Sequence, residues 1–262
     1  KYSKMSNIEF LLVLFLFNSF LFIGVVSRSI RKKSPRSLLK LFFLPPLMST
    51  LFAMSIQSFF EVSEMSNRQV LANFLFITWC IKSFNSYKSL KVILLDEFLN
   101  SARLLITEKK YISLVSLIIK ISIFQIICFS SVFSLNYLSG YSVLNFIDLV
   151  GLFLCFVGLT LELLSEKEIK ENLFINKKVI SSGPWSYVRH PNLSGIVIFF
   201  SGLQMLALGA VGSEWSIVGL IFLIYVVNVK LVPEIEDKLL SKYPEYEYHI
   251  DELPKLFPLK KR

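Results

Sequence analysis

The chain has 262 residues, 54% of them hydrophobic and 18% charged, with a mean hydropathy of +0.61. A soluble domain carries nearer ~25% charged residues, so this composition excludes a water-soluble globule and puts the surplus apolar surface in lipid. The net charge of +9 comes from basic residues lying between apolar runs, the pattern of loops that flank membrane spans and not of a nucleic-acid-binding face.

Seven apolar runs reach or approach the length needed to cross a hydrocarbon layer of ~30 Å. The first, Ile8 to Val26, is followed by no small-x-small cleavage site and reads as an anchor, not a signal peptide. The second, Leu38 to Phe60, contains Pro45 and Pro46, which predict a kink. The third, Val70 to Phe84, is the shortest. The fourth, Ile112 to Leu138, carries Lys120 at the deepest position of any charge. The fifth, Val143 to Leu164, has Asp148 near its start and Glu162 near its end, where both can snorkel to the interfaces. The sixth, Leu193 to Val211, and the seventh, Trp215 to Leu231, are joined by a tight Gly212-Ser213-Glu214 turn and form a helical hairpin. Beyond it, Ile235, Leu239, Leu240 and Tyr243 recur at helical spacing among Glu234, Asp237, Lys238 and Lys242, predicting an amphipathic surface helix over Pro233 to Tyr248.

Loop charges orient these runs. Arg28, Arg31, Lys32, Lys33 and Arg36 follow the first run; Lys88, Lys91, Arg103, Lys109 and Lys110 follow the third; Lys167, Lys170, Lys177, Lys178 and Arg189 follow the fifth; Lys238, Lys242, Lys255, Lys260, Lys261 and Arg262 lie in the tail. The intervening loops hold Arg68 alone. Seven spans place all the basic segments on one side, predicting a cytosolic C-terminus. Cys80, Cys128 and Cys155 lie far apart in apolar runs without a C-x-x-C spacing, so they read as small buried hydrophobes, and no metal site is expected.

One segment is rich in chemistry. Ser182-Gly183-Pro184-Trp185-Ser186-Tyr187-Val188-Arg189-His190-Pro191-Asn192 closes the longest loop. Pro191 fits the first turn of the sixth helix, which leaves Arg189 and His190 at a helix N-terminus, where free amides and the helix dipole favour an anion. Arg189 adds a planar fork for carboxylate or phosphate; the alternative is a snorkelling interfacial pair. Gly195, Gly202 and Gly209 follow at seven-residue intervals, a stripe that serves helix packing or a flat ligand. Glu234, Glu236 and Asp237 open the last helix, either as ordinary first-turn acids or as partners for this base. His249 sits among Tyr243, Tyr246 and Tyr248, where surface packing is its expected role.

The stretch Gly183-Pro184-Trp185-x-Tyr187-Val188-Arg189-His190-Pro191, followed by the hairpin, the acidic pair and the tyrosine-rich tail, resembles the isoprenylcysteine carboxyl methyltransferase and phospholipid methyltransferase superfamily. Steroid 5-alpha-reductase-like membrane proteins share that hairpin. The resemblance covers roughly Asp148 to Pro258. It implies an all-α polytopic bundle of about seven spans, with N-terminal helices over 1–138 and a catalytic region over 139–262. It further implies a cytosolic site for S-adenosylmethionine formed by Gly183, Trp185, Tyr187, Arg189, His190, Pro191, Asn192, Gly195, Glu236 and Asp237. Arg189, His190 and Glu236 would be its catalytic members. A lipid or prenylated substrate would reach it from the bilayer of the endoplasmic reticulum or another endomembrane, with no nucleic acid or metal involved.

The chain departs from that pattern at Leu193, where both branches usually have tyrosine, and at Ile196, where the reductases commonly have glutamate. Asp148-x-x-Gly151, Gly158, Glu162, Glu166 and the tail motif Val232-Pro233-x-x-Glu236 with Tyr243-Pro244-x-Tyr246 look more like the reductase branch. NADPH-dependent reduction of a sterol-like lipid therefore stays open as an alternative, as does a non-catalytic protein that retains the fold.

Overall fold

The computed structural model describes residues 7–32, 44–60, 66–86, 101, 104–137, 143–175, 179–210 and 212–258. Their regular structure is helical, in the order α1 (Asn7–Lys32), α2 (Leu44–Phe60), α3 (Asn67–Ser86), α4 (Tyr111–Cys128), α5 (Ser130–Tyr137), α6 (Phe146–Ile175), α7 (Pro191–Leu208), α8 (Ile217–Val226), α9 (Val232–Lys242) and α10 (Tyr246–Glu252). Among the described residues, four segments are long and apolar enough to cross a membrane: Tyr111–Cys128, Phe146–Glu171, Pro191–Leu208 and Glu214–Lys242. The described parts of the first three apolar runs are also helical but fall short of that measure, so among the described residues four spans stand on length and apolarity. Large side chains such as Leu16, Phe20, Phe153, Phe156, Val218 and Ile221 remain exposed, as a lipid-facing belt requires.

Two boundaries differ from the sequence reading. The described part of the second run is the helix Leu44–Phe60, which contains Pro45 and Pro46; its stretch before Leu44 lies outside the described residues. The fourth run breaks at Phe129, whose backbone (φ −103, ψ 16) leaves the helical region and separates α4 from α5. The seventh run does not end before the tail helix. A π turn, Val227–Leu231, carries α8 directly into α9, a local widening that accommodates Pro233, which can neither donate a helical hydrogen bond nor tolerate a tight preceding turn.

Helices α6 and α7 form the tightest pair. A Cβ on Gly158 would lie 2.5 Å from the Phe199 nitrogen and 2.7 Å from the Gly195 oxygen, and one on Gly202 would lie 2.5 Å from the Gly151 oxygen. Two glycines on each helix thus let the backbones touch, which maximises dispersion contact where no hydrophobic force acts between helices in lipid. Beside them Trp79 stacks on Phe199 at 6.0 Å and meets Phe200 edge-on at 5.0 Å.

Helix α3 is less apolar than its neighbours because its polar residues face inward and are paired. Arg68 Nε and Nη2 donate to the two carboxylate oxygens of Asp148, each at 2.6 Å, and Nη1 donates to the Gly209 oxygen at 2.6 Å. Asn73 and Asn136 exchange amide hydrogen bonds at 2.7 and 2.8 Å. Lys82 Nζ lies 2.5 Å from both Glu162 and Glu166, while Trp79 Nε1 donates to Glu162 at 3.1 Å. Asp148 and Glu162 therefore do not snorkel; each is buried in an ion pair with a base on α3. Lys120 lies on the exposed face of α4.

Candidate functional site

The site forms where α7 begins and the C-terminal segments fold back over it. Trp185 Nε1 donates to the Ser165 oxygen at 3.1 Å and Ser182 Oγ donates to Glu168 at 2.5 Å, which tie the Gly183–Ser186 turn to α6. Gly183 has φ +56, a left-handed value that favours glycine. The chain then turns inward so that Val188, Arg189, His190 and Pro191 are all buried. Pro191 is the first residue of α7.

Three side chains meet there. His190 Nε2 is 2.9 Å from Glu236 Oε1, and Arg189 Nε is 3.3 Å from the same oxygen. The three side chains are 3%, 7% and 12% exposed, so little water screens them. The Arg189 contact is ionic and not an aligned hydrogen bond, for Nε has no hydrogen-bond acceptor among the described residues. Arg189 Nη1 donates to the Ile250 oxygen at 3.3 Å. Tyr246 packs beside them, and burial, with the Glu236 charge adding to it, pushes its phenol well above the ordinary tyrosine range. Among the described residues, its hydroxyl, Asn192 Oδ1 and His249 Nε2 are likewise buried without hydrogen-bond partners.

The backbone of the corner is held by the tail. The Arg189 amide donates to the Pro254 oxygen at 3.0 Å and the His190 amide to the Lys255 oxygen at 3.1 Å. Ser194 Oγ donates to the Leu256 oxygen, and Leu256 is itself buried. The strap of residues 254–256 thus takes the Arg189 and His190 amides away from an incoming anion.

The other sequence candidates divide clearly. Glu236 faces the corner, while its neighbour Asp237 is exposed, about 100° further round α9. Tyr187 is 69% exposed. Gly195 faces α6, where a Cβ would meet the Gly158 oxygen at 2.7 Å and the Glu162 nitrogen at 2.8 Å, so packing occupies that side. Gly209 makes room for Arg68. Leu193, in place of the expected tyrosine, is a buried core residue. Sequence reasoning noted Tyr246 in the tail without assigning it to the site, and missed the strap. The strap offered no signal, but Tyr246 lies ten residues beyond Glu236 in a tail already noted for tyrosines. Among the described residues, no group of three or more His, Cys, Asp or Glu side chains could hold a metal ion.

Fold and site together define a helical membrane protein with a buried basic–acidic corner at one end of its tightest helix pair. The profile of a family described as "Protein of unknown function (DUF1295)" matches residues 43–251, and the chain belongs to that family. No curated protein and no solved structure matches it.

Proposed function

We propose that the protein is an integral membrane methyltransferase that uses S-adenosylmethionine to methylate a lipid or a prenylated, isoprenylcysteine-like substrate, acting from the cytosolic face of the endoplasmic reticulum or another endomembrane. The observation that carries this reading is the buried contact of Arg189 and His190 with Glu236. The corner has a fork suited to a carboxylate and an acid suited to an ammonium, the two charges of an amino-acid group. The unsatisfied atoms around it, Arg189 Nε, Tyr246 Oη, His249 Nε2 and Asn192 Oδ1, give it spare donors and acceptors for a polar ligand, and in this sense the residues fit the cofactor.

When bound, S-adenosylmethionine supplies an electrophilic methyl group. Arg189 would hold its carboxylate and Glu236 its amine, with His190 fixing the Glu236 rotamer from the other side. The exposed apolar faces of α6 and α8 offer a lipid substrate a lateral approach, and the methyl acceptor would be a carboxylate or amine. The contribution of the chain is then alignment in a poorly hydrated site.

A second reading, NADPH-dependent reduction of a sterol-like lipid, is favoured by the association of the family with steroid 5-alpha-reductase-like membrane proteins. It asks the corner to hold several phosphate charges, and the acid at its centre opposes that. Membranes expressing the chain should move tritium from methyl-labelled S-adenosylmethionine into the organic-extractable fraction, and an Arg189→Ala chain should not. Consumption of NADPH on addition of an enone lipid, with no methyl incorporation, would select the second reading. Neither activity in either chain would leave a non-catalytic member of the fold.

A further inference from the structure

An anion approaching Arg189 meets another anion first. Glu236 Oε1 already lies 2.9 Å from His190 Nε2 and 3.3 Å from Arg189 Nε. The side chains are nearly dry, so a second negative charge placed there would be repelled with little screening. The Arg189 and His190 amides give no compensation, because they donate to Pro254 and Lys255. At the helix N-terminus, which would otherwise attract phosphate, the N-cap amide of His190 and the amide before it are taken by the chain itself.

We infer that Glu236 is the specificity-determining residue of this corner, a fixed internal anion that admits a zwitterionic ligand and turns away polyanions such as pyrophosphates. A zwitterion brings its own ammonium, which the carboxylate can bind while Arg189 receives the opposite charge. A pyrophosphate brings only negative charge and must displace Glu236 from both bases. This inference rests on the reading that the corner binds an amino-acid-like cofactor, and it names the feature that would make it do so.

The test uses the full chain purified in detergent, with S-adenosylhomocysteine and inorganic pyrophosphate as probes in an equilibrium binding assay. Glu236→Gln keeps the side-chain shape and removes the charge. It should bind pyrophosphate about tenfold or more tightly than the wild type and S-adenosylhomocysteine more weakly. Glu236→Asp, which keeps the charge, should still reject pyrophosphate. Unchanged or weaker pyrophosphate binding by a folded Glu236→Gln chain would overturn the inference; if that variant does not fold, Glu236→Ala makes the same comparison. Failure of the wild type to bind S-adenosylhomocysteine, together with the gain for pyrophosphate in Glu236→Gln, would uphold the charge filter and remove the methyltransferase reading. Tight pyrophosphate binding by the wild type would remove the filter itself.

Discussion

Arg68 shows how a single charge can be stable within an apolar bundle. It is 2% exposed, and both its forks and its remaining donor are matched, by Asp148 and the Gly209 carbonyl. A buried pair of this kind need not stabilise a fold relative to an apolar pair, but removing one partner strands the other. Arg68→Ala should therefore destabilise the protein by about 3–5 kcal/mol, read as a lowered midpoint in detergent unfolding. The Arg68→Ala/Asp148→Ala double variant should recover part of that loss. A double variant whose loss equals the sum of the Arg68→Ala and Asp148→Ala losses would show that the pair is not coupled. Several residue-scale features were legible in advance. Arg189 and His190 stood out through their place before Pro191, and Asp148 and Glu162 through their presence in apolar runs. Their partners were not legible, since Arg68 and Lys82 lie 80 residues earlier in sequence and only the packing of α3 against α6 brings them close. The choice of Glu236 over Asp237 likewise depends on the rotation of α9, which a sequence does not specify.

Among the helices, the pairing of α6 with α7 is the feature a sequence describes best. Gly195 and Gly202 recur seven residues apart, and so do Gly151 and Gly158 on the partner, which is the complement that close backbone contact needs. Either packing or a ligand could explain one stripe alone; the second stripe decides for packing. Gly158→Ala should overpack this contact and cost about 1–3 kcal/mol, because the atoms met are backbone atoms of Phe199 and Gly195 that cannot move aside. Gly24→Ala on α1 is the control, since none of the described residues comes within 4 Å of its would-be Cβ. It should melt at or slightly above the wild-type temperature, given the better helix propensity of alanine; similar losses in both would mean that the pairing does not limit stability. Hydropathy gave the weaker guide to α3, whose inward polar residues lower its apolar score while their pairing holds it in the bundle. The break at Phe129 and the π turn before Pro233 were hidden for a similar reason: each interrupts a run whose composition stays uniformly apolar.

At the scale of the molecule, composition alone placed the chain in a membrane, and the helical bundle with its exposed apolar belt agrees. The tail was the least legible part. It reads as a surface helix, yet it supplies Glu236, Tyr246 and the carbonyls of residues 254–256, so that the corner is completed by segments more than 40 residues downstream of it. This arrangement joins the chemistry at the start of α7 to the integrity of the C-terminal segment, and it gives the corner its mixed charge. The most direct test of that mixed charge is a melting curve of the purified full chain titrated separately with S-adenosylhomocysteine and with NADP, since a ligand that binds only the folded state raises its apparent stability. The account predicts a saturable rise with S-adenosylhomocysteine and none with NADP. A rise with NADP alone would contradict it.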